Sequence, residues 1–161
     1  MKPEIKIKSL KKALAWRNSL RRKGKRLVVT NGCFDLLHRG HAEYLSRARN
    51  LGDALLVLVN SDASVRRNKG KNRPIVNEKD RSFLLASLSC VDAAVIFGSK
   101  DCVELFRKIK PDIYVKGGDY DIDSIVQPER RVLEAVGSKI RFIKFVPGLS
   151  TTEILKKISK G

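Results

Sequence analysis

Hydrophobic positions along the chain follow two alternating patterns, short continuous runs and longer stretches with helical spacing. Between Ser9 and Arg22, leucine and alanine recur at near-helical intervals, which predicts a helix that Ser9 caps and Gly24 ends. The segment ALLVLVN at 54–60 is instead continuously apolar, as strands buried on both faces of a parallel sheet are. The start of the chain therefore predicts helices that alternate with buried strands.

The same alternation continues to the C-terminus. Apolar runs predict five strands, at 27–30, 54–60, 93–97, 113–115 and 140–146. Helical spacing predicts further helices between and after them: one ending near Gly52, one capped by Asn77 with Asp80, and helices at 101–109, 129–136 and 151–158. This order indicates an α/β fold, a single Rossmann-like doubly wound five-stranded parallel sheet with helices on both faces.

In a sheet of this kind, ligands bind beyond the carboxyl ends of the strands. Chemistry is therefore expected in the segments that follow Thr30, Asn60, Phe97, Val115 and Val146.

Composition places the chain among soluble domains of ordinary size. Its 161 residues are 42% hydrophobic, which is enough for one core. No apolar run approaches the roughly 20 residues that span a bilayer, and Met1 is followed by Lys2, Pro3 and Glu4 rather than by an apolar signal core. We therefore expect a cytoplasmic protein without a membrane partner. The three cysteines follow no CxxC spacing, which favours reduced thiols.

Positive charge is concentrated at the N-terminus. Residues 1–26 contain eleven Lys or Arg and one Glu, so they carry +10 of the net charge of +17. This basic N-terminal helical segment, 1–26, is interpreted as a unit distinct from the domain at 27–161. It could attract nucleic acid or anionic lipid, or it could be a solvated helix face. Trp16 is its only aromatic residue, so the stacking surface of a single-strand binder is missing, while a duplex-binding helix remains open.

The segment TNGCFDLLHRGH, residues 30–41, contains both histidines of the chain. Three residues is nearly one helical turn, so His38 and His41 are expected on one face at a helix N-terminus, where backbone N–H groups and the helix dipole favour an anion. Gly32 and Gly40 have no Cβ and would let a phosphate approach the main chain. The segment therefore predicts phosphate binding.

Two other interpretations of the histidine pair stay open. A zinc site would need a third ligand, for which Cys33 or Asp35 could serve. The histidines could also be a structural capping pair. Neither GxxxxGK[ST] nor GxGxxG occurs in the chain, so P-loop kinases and dinucleotide dehydrogenases lose their main sequence support.

Several segments together resemble one known family. GCFDLLHRGH is similar to the GxFDxxHxGH signature of the HxGH nucleotidyltransferase superfamily. VNSDASV at 59–65, RPI at 73–75, KGGDY at 116–120 and STTEILKKI at 150–158 resemble the heptose 1-phosphate adenylyltransferase branch of that superfamily. The resemblance runs from about residue 27 to 160, and it identifies 27–161 as the nucleotidyltransferase domain.

The resemblance implies a reaction and a set of roles. AMP would pass from ATP, with Mg²⁺, to D-glycero-D-manno-heptose 1-phosphate by in-line displacement, giving ADP-heptose and pyrophosphate. His38 and His41 would bind the nucleotide phosphates as donors rather than as nucleophiles. Either Lys69 or Lys71, in the basic loop 66–74, would reach the triphosphate, and we place Lys69 in the catalytic set.

The family pattern also implies two groups of binding residues. The predicted nucleotide-binding residues are Asn31, Gly32, Cys33, Phe34, Gly40, Lys71, Pro147, Gly148, Leu149, Ser150, Thr151 and Thr152. The predicted substrate-binding residues are Asp35, Asn60, Asp62, Arg73, Arg81, Lys116, Gly117, Asp119 and Tyr120. Arg73 would bind the sugar phosphate and Arg81 would be a second phosphate clamp.

Two alternative functions remain at this point. The first is a cytidylyltransferase acting on glycerol 3-phosphate or a similar polyol phosphate. Enzymes of that branch carry an Arg three positions before the glycine of their GISTT element, whereas this chain has Phe145 there, which weakens the CTP hypothesis. The second is a nucleic-acid-binding module that uses the basic N-terminal segment. For the enzyme, the family implies a homodimer and, since 161 residues leave no room for a fused kinase, a separate sugar kinase; nucleic acid is not expected as its partner.

Overall fold

The structure is a computed structural model that describes residues 2–144 and 150–159. It contains five strands, β1 Leu27–Gly32, β2 Ala54–Asn60, β3 Ala93–Phe97, β4 Ile113–Gly117 and β5 Lys139–Ile143. The end of the predicted fifth strand, up to Val146, and the predicted nucleotide-binding residues Pro147, Gly148 and Leu149 lie outside the described residues.

All five strands are parallel and form one sheet in the order β3-β2-β1-β4-β5. From β1 the chain winds through β2 to β3 on one side and then crosses to β4 and β5 on the other. The direction of winding therefore reverses between β1 and β4, which is where an open α/β sheet forms a ligand crevice. The predicted doubly wound parallel sheet is confirmed.

Seven helices surround this sheet in the described part of the chain. They are α1 Leu10–Arg22, α2 Arg39–Arg49, α3 Asp62–Lys69, α4 Glu78–Ser87, α5 Val103–Ile109, α6 Gln127–Ala135 and α7 Thr151–Ile158. A turn of 3₁₀ helix, Pro3–Lys6, precedes α1.

Alternate residues of the central strands enter two separate cores, because successive side chains of a strand point to opposite faces. On one face, Leu56 packs with residues of α1, α5 and α6. On the other face, its neighbours Leu55 and Val57 pack with residues of α2 and α4. Helices therefore cover both faces, and the carboxyl edge of the sheet remains accessible for a site.

The helix α3 corrects one expectation from the sequence. The basic segment 66–74 was expected to be a loop throughout, but its first four residues form the last part of α3. The side chain of Ser61 caps this helix by accepting a hydrogen bond from the amide of Ser64, 3.2 Å away. The helix is short and polar, so hydrophobic spacing could not reveal it, whereas the cap could have.

The N-terminal segment packs onto the same core as the rest of the chain. Ala13 and Leu20 of α1 belong to one cluster with Leu27 and Leu56. The buried Arg17 pairs with Asp112, its Nη1 lying 2.7 Å from Oδ2. The division at residue 26 thus follows composition, whereas the packing continues across it. No described helix has the length and apolar character needed to cross a membrane.

Candidate active site

A cavity of about 450 Å³ opens at the carboxyl edge of the sheet. It receives side chains from the segments after β1, β2, β3 and β4, and from the start of α7. The structure brings together at its wall the catalytic set His38, His41 and Lys69 predicted from the sequence. The histidine pair follows β1, beside the reversal of the winding direction.

His38 and His41 lie on one face at the start of α2, as their spacing predicts. His38 is the N-cap of the helix. The two imidazole rings are stacked, with their centroids 3.9 Å apart and their planes at 25°. Nδ1 of each ring is buried and has no hydrogen-bond partner in the described part of the chain. Since buried polar atoms normally have a partner, two such nitrogens in one cavity indicate a pair arranged for a ligand.

The electrostatics keep both rings neutral near pH 7. Burial lowers the pKa of His38 below its ordinary value of 6.5. Burial, followed by the charges of His38 and Lys69, lowers the pKa of His41 to about 4. Neutral imidazoles each offer one N–H donor. An incoming polyanion would offset both effects, because negative charge stabilises imidazolium.

Phe34 is a second aromatic neighbour of His41. Its ring meets the His41 ring edge-on, with centroids 5.3 Å apart. The backbone of Phe34 is left-handed, with φ of 49°, which is unusual for an aromatic residue. A Cβ at Gly32 would come within 2.9 Å of the Phe34 ring, so a residue without a side chain is needed there. The predicted residue Gly40 is buried within α2.

Asp35 and Arg73 form a buried ion pair at the cavity. Arg73 Nε donates to Asp35 Oδ2 over 2.6 Å, and the side chains are 16% and 1% exposed. Asp35 Oδ1 accepts hydrogen bonds from the amides of Ile75 and Val76. Both carboxylate oxygens are therefore engaged by the chain itself. Asp35 fixes the direction of Arg73, which lines the cavity.

Arg81 is not brought to the cavity wall, contrary to the expectation of a phosphate clamp. Its guanidinium is fully buried and donates to the main-chain oxygens of Cys33, Asn60 and Val76 and to the carboxylate of Asp62. These donors are consumed within the fold. Arg81 ties the loops after β1 and β2 to the segment before α4, so its role in the site is to hold their shape.

Asn60 and Asp62 lie in the same loop network. Asn60 is at the cavity wall, and its side-chain amide donates to Ser64 Oγ over 3.0 Å. Asp62 is not at the wall, and it engages Arg81. Cys33 is at the wall with its Sγ 3.9 Å from Asn60 Oδ1.

The structure separates the two lysines that the sequence could not distinguish. Lys69 is the last residue of α3, lines the cavity and is close enough to His41 to lower its pKa. Gly70, with φ of 94°, then ends the helix. Lys71 is exposed and lies outside the cavity wall.

The KGGDY segment supplies the wall after β4. Lys116, Gly117 and Tyr120 line the cavity, and Lys116 Nζ lies 5.2 Å from the centroid of the Tyr120 ring. Gly118, with φ of 113°, makes the turn that a residue with a side chain would resist. Asp119 is exposed and not part of the wall.

The start of α7 forms a further part of the cavity wall. Ser150, Thr151 and Thr152 line it, and Ser150 Oγ caps the helix by accepting from the amide of Glu153 over 3.1 Å. The first amides and hydroxyls of this helix point to an anion-binding role.

Six further residues at the wall were missed by sequence reasoning, namely Tyr44, Asn68, Lys100, Asp101, Val126 and Glu129. Most of them belong to no recognisable motif. Lys100 and Asp101 could have been found, because they follow the third predicted strand at the same edge of the sheet.

The zinc alternative lacks a ligand set. Over residues 2–144 and 150–159, no group of three His, Cys, Asp or Glu side chains is placed to hold a metal ion. Asp35, one of the two suggested third ligands, is committed to Arg73.

A reversed parallel sheet with a stacked HxGH histidine pair and cations at its carboxyl edge defines a nucleotidyltransferase-type α/β domain. The chain belongs to the cytidylyltransferase-like family, whose pattern matches residues 29–157. The predicted membership of the HxGH nucleotidyltransferase superfamily is thereby confirmed.

Relatives and solved structures agree with this family. The bifunctional protein HldE of Geotalea uraniireducens is 48% identical over 98% of this chain, and HldE of Helicobacter pylori strain J99 is 48% identical over 96%. The chain spans about a third of the length of these relatives, 32% in both cases.

Among solved structures, a lipopolysaccharide core biosynthesis protein from Thermoplasma volcanium is 33% identical, with a TM-score of 0.62 over 76% of this chain and 98% of that one. Pantoate-beta-alanine ligase from Francisella tularensis shares the fold at 16% identity, with a TM-score of 0.60 over 96% of this chain and 78% of that one.

Proposed function

We propose that this chain transfers AMP from ATP to D-glycero-D-manno-heptose 1-phosphate, releasing pyrophosphate and forming ADP-heptose. The observation that carries the proposal is the stacked pair His38 and His41, whose buried Nδ1 atoms have no partner among the described residues, in a cavity that also presents Lys69 and Arg73. Such a site suits a polyphosphate.

The choice of sugar and nucleotide rests on likeness. The VNSDASV, KGGDY and STT segments resemble heptose 1-phosphate adenylyltransferases, and 48% identity to bifunctional HldE proteins supports the same branch. The structural similarity to a lipopolysaccharide core biosynthesis protein at 33% identity is consistent with a surface-glycan precursor as product.

The reaction needs little covalent help from the protein. A sugar 1-phosphate has a second pKa of about 6, so it is already an anionic nucleophile near neutral pH. Its oxygen attacks the α-phosphorus of ATP in line with the bond to the departing pyrophosphate. The rate then depends on positioning and on stabilising the charge that accumulates on the phosphoryl oxygens.

The two histidines are proposed to stabilise that charge through contacts to the nucleotide phosphates. As neutral rings they donate N–H hydrogen bonds to phosphate oxygens, and their stacking fixes both rings in one orientation. Phe34 packs against the His41 ring as well. The donors are therefore arranged before ATP arrives, which is the condition under which such groups lower a barrier most.

The two cations of the cavity wall, Lys69 and Arg73, are proposed to bind different phosphates. Lys69, next to the histidine pair, faces the triphosphate as a compact charge. Arg73, held by Asp35 Oδ2 at 2.6 Å, offers its two Nη groups to the sugar phosphate in a fixed plane. The N-terminus of α7, with Ser150, is the proposed contact for the β- and γ-phosphates.

Mg²⁺ would enter with ATP. The described residues provide no cluster of three metal-binding side chains, and Mg²⁺ in nucleotide sites is commonly held by substrate phosphates and water with few protein ligands. When bound, the ion would neutralise phosphate charge, and the remaining contacts to the substrates would come from the chain itself.

We also propose the setting of the reaction. A sugar kinase activity outside these residues would supply the 1-phosphate, the chain would act as a homodimer, and it would work in the cytoplasm, where ATP is available.

The test is pyrophosphate release from a matrix of four nucleoside triphosphates and several phosphorylated sugars and polyols, with Mg²⁺. ATP with D-glycero-D-manno-heptose 1-phosphate is expected to give the highest kcat/KM. The His38→Ala/His41→Ala double variant is the matched inactive control. Release from CTP with glycerol 3-phosphate, and none from ATP with the heptose, would overturn the proposal in favour of the cytidylyltransferase.

A further inference from the structure

Glu129 is a buried carboxylate that the reaction described above does not use. It lies in the first turn of α6, is 4% exposed and forms part of the cavity wall. Its Oε1 accepts a hydrogen bond from the amide of Cys102, the N-cap of α5, over 2.8 Å. Among the described residues, no hydrogen-bond donor reaches Oε2.

Capping α5 explains the position of only one of the two carboxylate oxygens, Oε1. The neutral amide oxygen of a glutamine would accept the same Cys102 N–H without the cost of burying a charge. Burial raises the pKa of Glu129, while the Cys102 amide and the charge of Lys116 lower it. The second oxygen is available for a donor from within the cavity.

Glu129 and Arg73, the proposed sugar-phosphate cation, follow strands that lie on either side of β1 in the sheet. Arg73 and Lys69 follow β2, the histidines follow β1, and Lys116 and Glu129 follow β4. In the sheet order β2-β1-β4, the strand that the histidines follow therefore lies between the strands that the two groups follow. A nucleotide whose phosphates lie at the histidines must place its nucleoside on one side of them.

A polar floor continues the wall beneath this side. Asn31 donates to Cys102 Sγ over 3.3 Å and accepts from Tyr114 Oη over 2.7 Å. Asn31, Cys102 and Tyr114 are thus linked to one another, whereas Glu129, among the described residues, has no donor on Oε2. A carboxylate repels phosphate and accepts from hydroxyl groups.

We infer that Glu129 accepts a hydrogen bond from a ribose hydroxyl of the bound nucleotide and thereby fixes which end of ATP enters this corner. The inference rests on the proposed function, because it takes a nucleotide as the ligand. It assigns a binding residue to α6, an element that none of the sequence motifs covers.

The experiment is isothermal titration calorimetry of ATP, 2′-deoxy-ATP, 3′-deoxy-ATP and pyrophosphate, each with Mg²⁺, on the wild-type chain and Glu129→Gln. Gln keeps the acceptor for Cys102. The wild-type protein is expected to bind ATP about tenfold more tightly than at least one of the two deoxy analogues, because that analogue lacks the hydroxyl that donates to the charged carboxylate. Glu129→Gln should lose that preference and bind pyrophosphate as the wild type does.

Glu134→Gln is the matched control, because Glu134 is an exposed glutamate on the same helix. It should keep the wild-type preference for ribose. Equal affinity of the wild-type chain for ATP and both deoxy analogues would overturn the inference without any variant. So would an equal loss of ATP and pyrophosphate affinity in Glu129→Gln, which would mean that Glu129 acts through Lys116.

Failure of the inference is distinguishable from failure of the proposed function. A chain that transfers AMP to the heptose but ignores the ribose hydroxyls retains the function and loses the assignment of Glu129. A raised KM for the sugar phosphate in Glu129→Gln, with ATP affinity unchanged, would place Glu129 in the other subsite and also overturn the assignment. A chain that binds neither ATP nor pyrophosphate contradicts both.

Discussion

The N-terminal segment and the cavity carry charge of the same sign but hold it differently. Most of the eleven cations in residues 1–26 are exposed. Arg17, the buried one, pairs with Asp112 and donates hydrogen bonds to nearby main-chain oxygens. In the cavity, Arg73 is held by the buried Asp35 and yet lines open space.

The difference shows that density of charge does not locate a site. Exposed cations on a helix are screened by water and salt and lose entropy when a ligand orders them. A cation next to a cavity that a buried partner already holds in place loses little further side-chain entropy when a ligand binds. The densest basic stretch of the sequence is therefore not where we place the chemistry.

Among substitutions that test this difference between the two regions, the largest loss of activity is expected at the histidine pair. His38→Ala and His41→Ala should each lower kcat by on the order of 10², because each removes a positioned donor from the phosphoryl oxygens. Circular dichroism should be unchanged. Activity that survives both substitutions would show that the stacked pair is structural, as the capping interpretation holds.

The next effect is expected at the anchored cation. Arg73→Lys should raise the KM for the sugar phosphate about tenfold, because an ammonium cannot reproduce the fixed fork of a guanidinium. Asp35→Asn should have a similar effect through loss of the anchor.

The double variant provides the check. If Asp35 acts through Arg73, the two changes together should cost little more than either one alone. Additive effects on KM would mean that Asp35 contacts the substrate itself, as the sequence first suggested.

A smaller effect is expected to separate Lys69 from Lys71. Lys69→Ala should lower kcat/KM for ATP about fivefold, since it removes a charge at the cavity wall. Lys71→Ala is the matched control from the same basic segment and should change kcat/KM by less than about twofold, because its charge is exposed and screened. Equal losses in steady-state assays would contradict the placement of Lys69 alone at the site.

The smallest effect is expected in the basic N-terminal segment. Replacing the exposed Lys11, Lys12, Lys23 and Lys25 by Gln should leave kcat/KM within about twofold, since these charges are screened. Filter binding of duplex DNA before and after the change measures any polyanion affinity. Tight duplex binding that disappears in the variant, with no turnover in the wild type, would favour the nucleic-acid-binding module.

Hydrophobic pattern and capping residues together predicted the fold. The buried run at 54–60 corresponds to β2, and the spacing from Ser9 gave α1 with its cap, because burial and local capping both leave a direct record in the sequence. The pattern missed α3, which buries little and is stabilised by a cap instead.

The site was predictable only as far as motifs and spacing reach. His38 and His41 were found because one helical turn brings them together. In the sequence Arg81 resembles a phosphate clamp and Asp62 a substrate-binding residue, and only the fold shows that they pair with each other and that Arg81 also binds main-chain oxygens. Glu129 was missed because its position depends on how α6 packs against the start of α5, which no local pattern encodes.

The central claim is that His38 and His41 bind the phosphates of the nucleotide, and histidine NMR tests it most directly because the chain contains only these two. Without ligand, His41 should titrate with a pKa of about 4 and His38 below 6.5. Pyrophosphate with Mg²⁺ should shift both resonances and raise both pKa values. Two histidines that titrate near 6.5 and do not respond to pyrophosphate or ATP would contradict the account.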